Sequence, residues 1–223
     1  MTEPIPAATV VAMKDGPSGP EVLMVRRNSK LDFAGGMWVF PGGRIDQRDR
    51  RPGEPLEIAA RRAAVREAAE ETGLVIDPDE LVWFSHWMPP PSAPKRFATY
   101  FFLVRLHGNN DQIVVDGSEI QDHEWLTPVD ALRRRNAKEI ELAPPTWITL
   151  EHLVPFSTTA AALRHFASRE VEYFETRIAS LDGTIVALYH GDAGYESADA
   201  AAEGPRHRLW MSPDGWHYER LPS

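Results

Sequence analysis

The chain has 223 residues, of which 43% are hydrophobic and 26% are charged, a composition typical of one soluble globular domain or of one domain with an extension. Its formal net charge of −9 argues against nucleic acid as a partner, because phosphate backbones attract basic surfaces. It contains no cysteine, which excludes disulfides, catalytic thiolates and zinc–thiolate sites. No apolar run approaches the ~20 residues of a membrane helix, and the N-terminus lacks a secretory pattern. We therefore expect a cytoplasmic protein with no membrane partner.

The first third of the chain predicts a small sheet followed by one helix. Three apolar, β-branched segments predict strands, at residues 7–13, 21–27 and 38–40. The first two flank a turn rich in Gly and Pro, so we expect them to pair antiparallel. The polar residues 44–53 predict an exposed loop. Residues 55–72 are rich in Ala, Glu and Arg, which favours a helix that ends at Gly73.

The second third of the chain predicts more strands and three shorter helices. The strands are expected at residues 81–87, 97–106, 113–115 and 119–126, and the aromatic segment 97–106 is expected to be central. The helices are expected at residues 128–132, 144–153 and 160–168. Thr127 is the predicted N-cap of the first of these, and Pro128 its first residue.

The tail changes character from about Val171. Two Asp-Gly pairs, Asp182-Gly183 and Asp214-Gly215, each separate β-type segments and predict two β-hairpins. We therefore divide the chain into a domain at residues 1–168 and a β-rich extension at residues 169–223. This extension is expected to complete a homodimer interface, to cover a substrate pocket, or to extend the sheet, and the sequence leaves these alternatives open.

One segment carries most of the chemical information. In residues 66–74, Glu67, Glu70 and Glu71 fall within roughly 100° of one another on a helix, because each residue turns by about 100°. Three carboxylates on one arc repel one another unless solvent or a hard cation stabilises them. A Glu-rich helical turn alone is typical of a solvated face. The upstream Gly42-Gly43, which permits close approach of the backbone, favours the cation.

Together these residues resemble the box of the Nudix hydrolase family. That box runs Gly, five residues, Glu, seven residues, and then Arg-Glu-apolar-any-Glu-Glu-any-Gly-apolar. Gly43 matches the opening glycine, and residues 66–74 match the second half at every defined position. The spacing between the two halves is nine residues longer than in the simple box. Counting back from Arg66 places Ile58 where the family has its first Glu, so we expect an insertion and the loss of that carboxylate.

The resemblance implies an α/β (α+β) fold in which a mixed sheet lies between helices as an α/β/α sandwich. It also implies hydrolysis of a diphosphate linkage with Mg²⁺ or Mn²⁺ as cofactor. By similarity, the metal ligands are Glu67, Glu71 and the main-chain carbonyl of Gly43, Glu70 is a ligand or the general base, and Arg66 orients the carboxylates. Glu119, just before a late strand, is a further candidate base or ligand.

The substrate is expected to be a small nucleoside diphosphate derivative. Residues 27–43 are partly similar to the signature of coenzyme A diphosphatases, since Arg27, Gly36 and the Phe-Pro-Gly-Gly at 40–43 fit, whereas Asn28 and Asp32 depart from it. Coenzyme A or an acyl-coenzyme A is therefore one expectation, and ADP-ribose, NADH or a dinucleotide are the alternatives. The candidate substrate-binding residues are Arg27, Arg44, Arg96 and Phe40. A nucleotide-sensing domain without catalysis is the alternative of a different class.

Overall fold

A computed structural model describes residues 3–29, 34–107, 112–115 and 117–221, which form two compact units. The first unit holds residues 6–85 and 99–172, and the second holds residues 3–5, 86–98 and 173–221 within the described ranges. Asp32 lies outside the described residues. In the described part of the chain, no helix is long and apolar enough to cross a membrane. The predicted division after residue 168 stays a prediction.

The described residues form twelve strands and four α-helices. The strands are β1 Ile5–Gly16, β2 Gly19–Arg27, β3 Trp38–Val39, β4 Gly42–Arg44, β5 Val82–Met88, β6 Phe97–Arg105, β7 Ile120–Leu126, β8 Glu172–Glu175, β9 Arg177–Leu181, β10 Thr184–Leu188, β11 Arg206–Ser212 and β12 Gly215–Leu221. The helices are α1 Leu56–Thr72, α2 Pro128–Asn136, α3 Pro144–Leu153 and α4 Thr159–Ala167. Short 3-10 turns occupy Gln47–Asp49 and Pro78–Glu80.

The sheet of the first unit has the order β3-β2-β1-β6-β5, with β4 also paired to β1 and β7 to β2. Strands β1 and β2 are antiparallel, with Met13 opposite Val22, as predicted. Strands β1 and β6 run parallel, because hydrogen bonds join their starts (Ile5 N–H to the Arg96 carbonyl) and their ends (Leu106 N–H to the Met13 carbonyl). The sheet is therefore mixed, and the α+β fold with a separate C-terminal antiparallel sheet is confirmed.

Helix α1 packs on this sheet through alanines. The buried alanines of the helix are Ala59, Ala60, Ala63, Ala64 and Ala68, and they share one hydrophobic core with strands β1, β2 and β6. Small side chains allow the helix to approach the sheet closely, which fixes the direction in which its glutamates point. The helix ends at Gly73, whose φ of +74° is the left-handed conformation that glycine adopts at low cost.

Two predictions, one of a strand and one of an exposed loop, were wrong. The predicted strand at residues 113–115 does not form, since the Val114 N–H donates to the Thr72 carbonyl and the segment lies against the end of α1. The segment at residues 44–53 is not an exposed loop throughout, because Ile45 and Asp49 are buried. Tertiary contacts bury these two side chains, and this burial cannot be inferred from the polar composition of the segment.

The second unit contains an antiparallel sheet with the order β12-β11-β10-β9. Both predicted hairpins are confirmed, with Leu181 opposite Thr184 and Ser212 opposite Gly215. Asp182 and Gly183 both have positive φ values, of 50° and 80°, which is the conformation that a two-residue hairpin turn requires.

A buried ion pair fastens the loop at residues 190–205 to this sheet. The Arg208 Nη2 donates to the Asp192 Oδ1 at 2.6 Å, and both side chains are almost completely buried. Asp192 also accepts from the N–H groups of Gly194 and His207. Burial raises the pKa of Asp192, but the hydrogen bonds from Arg208 and from these two N–H groups lower it further, so the pKa lies below its ordinary value.

This pair predicts acid sensitivity of the second unit. Because the folded pKa of Asp192 is depressed, its contribution is complete above the ordinary pKa of ~3.9 and is lost as the pH falls through the folded value. We expect Asp192→Asn to lower the free energy of unfolding at pH 7 by about 3–5 kcal/mol, since it leaves a buried arginine without its carboxylate. Urea unfolding at several pH values checks this, and the variant should show the weaker pH dependence.

The control for this prediction is Glu196→Gln, which removes an exposed partner of Arg177 and should change stability by less than about 0.5 kcal/mol. Equal losses in the two variants would contradict the role assigned to the buried pair.

Candidate active site

The carboxylates of α1 meet the glycine turn that follows β3. The Gly42 N–H donates to the Glu71 Oε2 at 2.9 Å, and Glu71 is only 5% exposed. A Cβ built on Gly43 would lie 2.5 Å from the Glu67 Cδ. Glycine at these two positions therefore lets the backbone of β4 approach the two carboxylates, and any larger residue at 43 would displace Glu67.

Arg66 is the centre of the site. Its Nε and Nη2 donate to the two oxygens of Asp49 at 3.0 Å and 2.8 Å. Its Nη1 donates to the Glu67 Oε1 at 2.7 Å and to the Glu70 Oε2 at 3.0 Å. The Nη2 also donates to the main-chain carbonyl of Arg44 at 3.0 Å. The hydrogen bonds to Asp49, followed by those to Glu67, raise the pKa of Arg66, so it stays charged.

A second arginine, Arg27, lies between Glu71 and a further carboxylate, Glu119. Its Nη1 is 4.0 Å from the Glu71 Oε1, and its Nη2 is 3.7 Å from the Glu119 Oε2. The Asn28 N–H donates to the Glu119 carbonyl at 2.8 Å, which holds the start of β7 beside the end of β2. Residues far apart in the sequence are thus brought to one place by the pairing of β2 with β7.

The carboxylates of this site carry more negative charge than the arginines balance. Burial is the main cause that raises the pKa of Glu71 to about 8, and Glu67 and Glu119 add to it, against the Gly42 N–H and Arg27. Burial also raises the pKa of Glu67, although Arg66 opposes the shift. Added positive charge at Glu67 and Glu71 would therefore stabilise their ionised forms.

Comparison with known proteins identifies the family. The sequence model of the NUDIX domain matches residues 4–147. The chain belongs to the NUDIX family. A crystal structure of a NUDIX hydrolase from Alicyclobacillus acidocaldarius superimposes with a TM-score of 0.65 and 26% identity, and covers 76% of this chain and 100% of that one. The NUDIX domain of Shewanella oneidensis NrtR shares the fold, with a TM-score of 0.51, 18% identity and coverage of 68% and 86%.

Two curated relatives are similar to more than half of this chain. The putative nudix hydrolase 7 of Caenorhabditis elegans is 26% identical over an alignment of 169 positions that covers 59% of this chain and 55% of that protein. The acyl-coenzyme A diphosphatase NUDT19 of Gallus gallus is 27% identical over an alignment of 208 positions that covers 82% of this chain and 54% of that protein. The chain thus spans about half the length of these relatives.

Asp49 is the site residue that sequence reasoning missed. Five residues separate it from Gly43, so it occupies the position at which the NUDIX box has its first glutamate. Its carboxylate accepts two hydrogen bonds from Arg66, one on each oxygen. The expectation that Ile58 replaces that carboxylate is therefore wrong. The nine extra residues lie after Asp49, not before it, and Ile58 belongs to the first turns of α1. Counting forward from Gly43 would have found Asp49.

The donors of this site suit a hard divalent cation. Within the described residues, no three Asp, Glu or His side chains converge as a ligand set, and Arg66 donates to both Glu67 and Glu70. The available donors are nevertheless all carboxylate and main-chain oxygens, which Mg²⁺ and Mn²⁺ prefer. The raised pKa values of Glu67 and Glu71 show where positive charge is missing. The residues present therefore fit such an ion.

The other predicted site residues lie in different surroundings. Arg44 is exposed on β4 and supplies its carbonyl to Arg66. Phe40 is 3% exposed, so its side chain belongs to the core. Arg96 belongs to the second unit, where its Nη2 donates to the Pro89 carbonyl at 3.1 Å. The roles of these three residues in substrate binding stay predictions.

The two glycines should respond differently to substitution by alanine. A Cβ at Gly42 would press on the Ala8 carbonyl and lie 2.7 Å from the Thr9 Cα, so the rigid backbone must move. We expect Gly42→Ala to cost about 1–3 kcal/mol of stability, as overpacking does. Gly43→Ala meets the flexible end of Glu67, so stability should change less while Mn²⁺ binding weakens. Urea unfolding and Mn²⁺ titration test this, and the reverse ranking of stabilities would refute it.

The contact between Asp49 and Arg66 is expected to support the fold as well as the site. Asp49→Asn removes the charge of the one carboxylate that contacts a mostly buried guanidinium through both of its oxygens, and should lower the free energy of unfolding by about 1–3 kcal/mol. Asp46→Asn is the matched control, because Asp46 is half exposed and lies 3.8 Å from Arg66. Denaturant unfolding of both variants tests this prediction, and similar losses in the free energy of unfolding would contradict the role assigned to Asp49.

Proposed function

We propose that this protein hydrolyses a diphosphate linkage in a nucleoside diphosphate derivative, with a divalent metal ion as cofactor. The observation that carries the proposal is the intact set of Glu67, Glu70 and Glu71, organised by Arg66 and set against the Gly42-Gly43 turn. Family membership supports it, because Nudix hydrolases generally use divalent metal ions.

The proposed reaction joins the oxygen of a water molecule to one phosphorus atom and breaks the bridging P–O bond on that phosphorus. One proton leaves the water, and the two products each carry a phosphate. Glu67 and Glu71, with the Gly43 carbonyl, would hold the metal, which would supply positive charge to the phosphoryl oxygens and lower the pKa of the attacking water. Arg66 keeps Glu67 in place through a hydrogen bond of 2.7 Å.

Glu70 is the proposed base for the proton of that water. Its side chain is about half exposed, so it is accessible to water, whereas the buried Glu71 is not. Glu119 is the second candidate for this role, since 60% of its side chain is exposed. It lies 3.7 Å from Arg27, which also contacts Glu71.

Coenzyme A or an acyl-coenzyme A is the proposed substrate class. The support is similarity to the acyl-coenzyme A diphosphatase NUDT19 of Gallus gallus and of Xenopus laevis, together with Arg27, which matches the coenzyme A signature and lies at the carboxylates. ADP-ribose, NADH and dinucleotides remain the alternatives. The sensor hypothesis rested on a missing first carboxylate, and Asp49 removes that support.

A panel of substrates tests the proposal. The purified protein is incubated with Mg²⁺ or Mn²⁺ and coenzyme A, acetyl-coenzyme A, ADP-ribose, NADH or diadenosine polyphosphates, and the products are separated by chromatography. We expect cleavage of coenzyme A compounds and a loss on the order of 10²-fold or more in Glu67→Gln and Glu70→Gln.

The matched control is Glu57→Gln, a glutamate on the same helix that pairs with Arg61. It should keep the activity of the wild type. If no compound is cleaved in the presence of metal, the hydrolase proposal fails, and preferential cleavage of ADP-ribose would move the substrate class to that alternative.

A further inference from the structure

Arg48 makes contacts that the family resemblance does not assign. It lies in the 3-10 turn at Gln47–Asp49, directly before Asp49. Its Nη2 donates to the Glu70 Oε1 at 3.0 Å, and its Nε is 3.6 Å from the Asp46 Oδ2. Glu70 thus has two guanidinium partners in this structure: Arg66 donates to its Oε2 at 3.0 Å, and Arg48 donates mainly to its Oε1, with a longer contact of 3.4 Å to Oε2.

The two partners of Glu70 differ in how firmly they are held. The Arg66 side chain is 15% exposed and is fixed by both oxygens of Asp49. The Arg48 side chain is 58% exposed, and its two partners are each about half exposed. Exposed ion pairs of this kind are weak, because solvent screens them and the long side chain loses entropy when it is held. Arg48 can therefore leave Glu70 far more easily than Arg66 can.

We propose that Arg48 is a substrate-responsive residue, which holds Glu70 in the free protein and moves to the diphosphate oxygens when substrate binds. The inference rests on the proposed function. A guanidinium binds phosphate oxygens through strong, charge-assisted and often bidentate hydrogen bonds, which favours the exchange of partner. The exchange frees one oxygen of Glu70 at the moment when the water must be activated.

The proposal has a consequence in the absence of substrate. Arg48 and a divalent cation compete for the same oxygen of Glu70, so removal of the guanidinium should strengthen the binding of the cation. Arg50 supplies a matched control. It is two residues away, its side chain is exposed, and among the described residues it forms no ion pair.

The first arm of the test is a titration of the substrate-free protein with Mn²⁺, followed by electron paramagnetic resonance. Arg48→Gln should bind Mn²⁺ about two- to fivefold more tightly than the wild type, a change of the size that an exposed ion pair supplies. Arg50→Gln removes the same charge and should bind Mn²⁺ as the wild type does. Equal affinities in the two variants would overturn the competition between Arg48 and the cation.

The second arm is kinetic and uses the substrate that the wild type cleaves fastest. Arg48→Gln should raise KM about tenfold, with a smaller change in kcat, and Arg48→Lys should recover part of the loss because it keeps the charge without the bidentate fork. Arg50→Gln should match the wild type. Unchanged KM in Arg48→Gln would overturn the transfer to substrate. No cleavage by the wild type overturns the proposed function, and the Mn²⁺ titration then decides alone whether Arg48 holds Glu70.

Discussion

The bidentate contact between Arg66 and Asp49 is the interaction on which the rest of the site depends. Both groups are largely withdrawn from solvent, and each would be costly there without the other. Burial raises the pKa of Asp49, but the hydrogen bonds from Arg66 and the Asp46 N–H lower it further, so it stays ionised. Once Arg66 is fixed in this way, its remaining Nη1 holds Glu67 and Glu70 in defined positions.

Packing of the backbone supplies the second constraint. The alanine face of α1 sets the helix close to the sheet, and glycine at residues 42 and 43 brings β4 against the glutamates. Glu71 is thereby buried with one main-chain N–H and the distant Arg27 to offset its charge. This deficit of positive charge is a property of the folded chain, and the burial of Glu71 without full compensation raises its pKa.

The second unit also contains a buried pair of an aspartate and an arginine. Asp192 and Arg208 form a buried pair whose remaining hydrogen bonds are satisfied by main-chain groups, so a polar loop of 16 residues at 190–205 covers one face of a small sheet. Gly194 accommodates a close approach of the Asp199 carbonyl, which leaves no space for a side chain. The unit therefore depends on a few buried polar contacts as well as on its apolar core.

The sequence by itself determined the elements whose signals are local. Periodicity, capping residues and Asp-Gly turns predicted the first strand pair, α1 with its end at Gly73, the Thr127 cap and both hairpins. The second half of the NUDIX box could also be recognised, since its residues are consecutive in the sequence and run from α1 through the glycine that ends it. Only the tertiary structure placed Asp49 on Arg66 and Glu119 beside Arg27, because long-range pairing decides which distant side chains meet. The burial of Ile45 within a polar segment was likewise visible only in the structure. Residues 113–115 do not form the strand that their composition favours, since packing against neighbours overrides local preference.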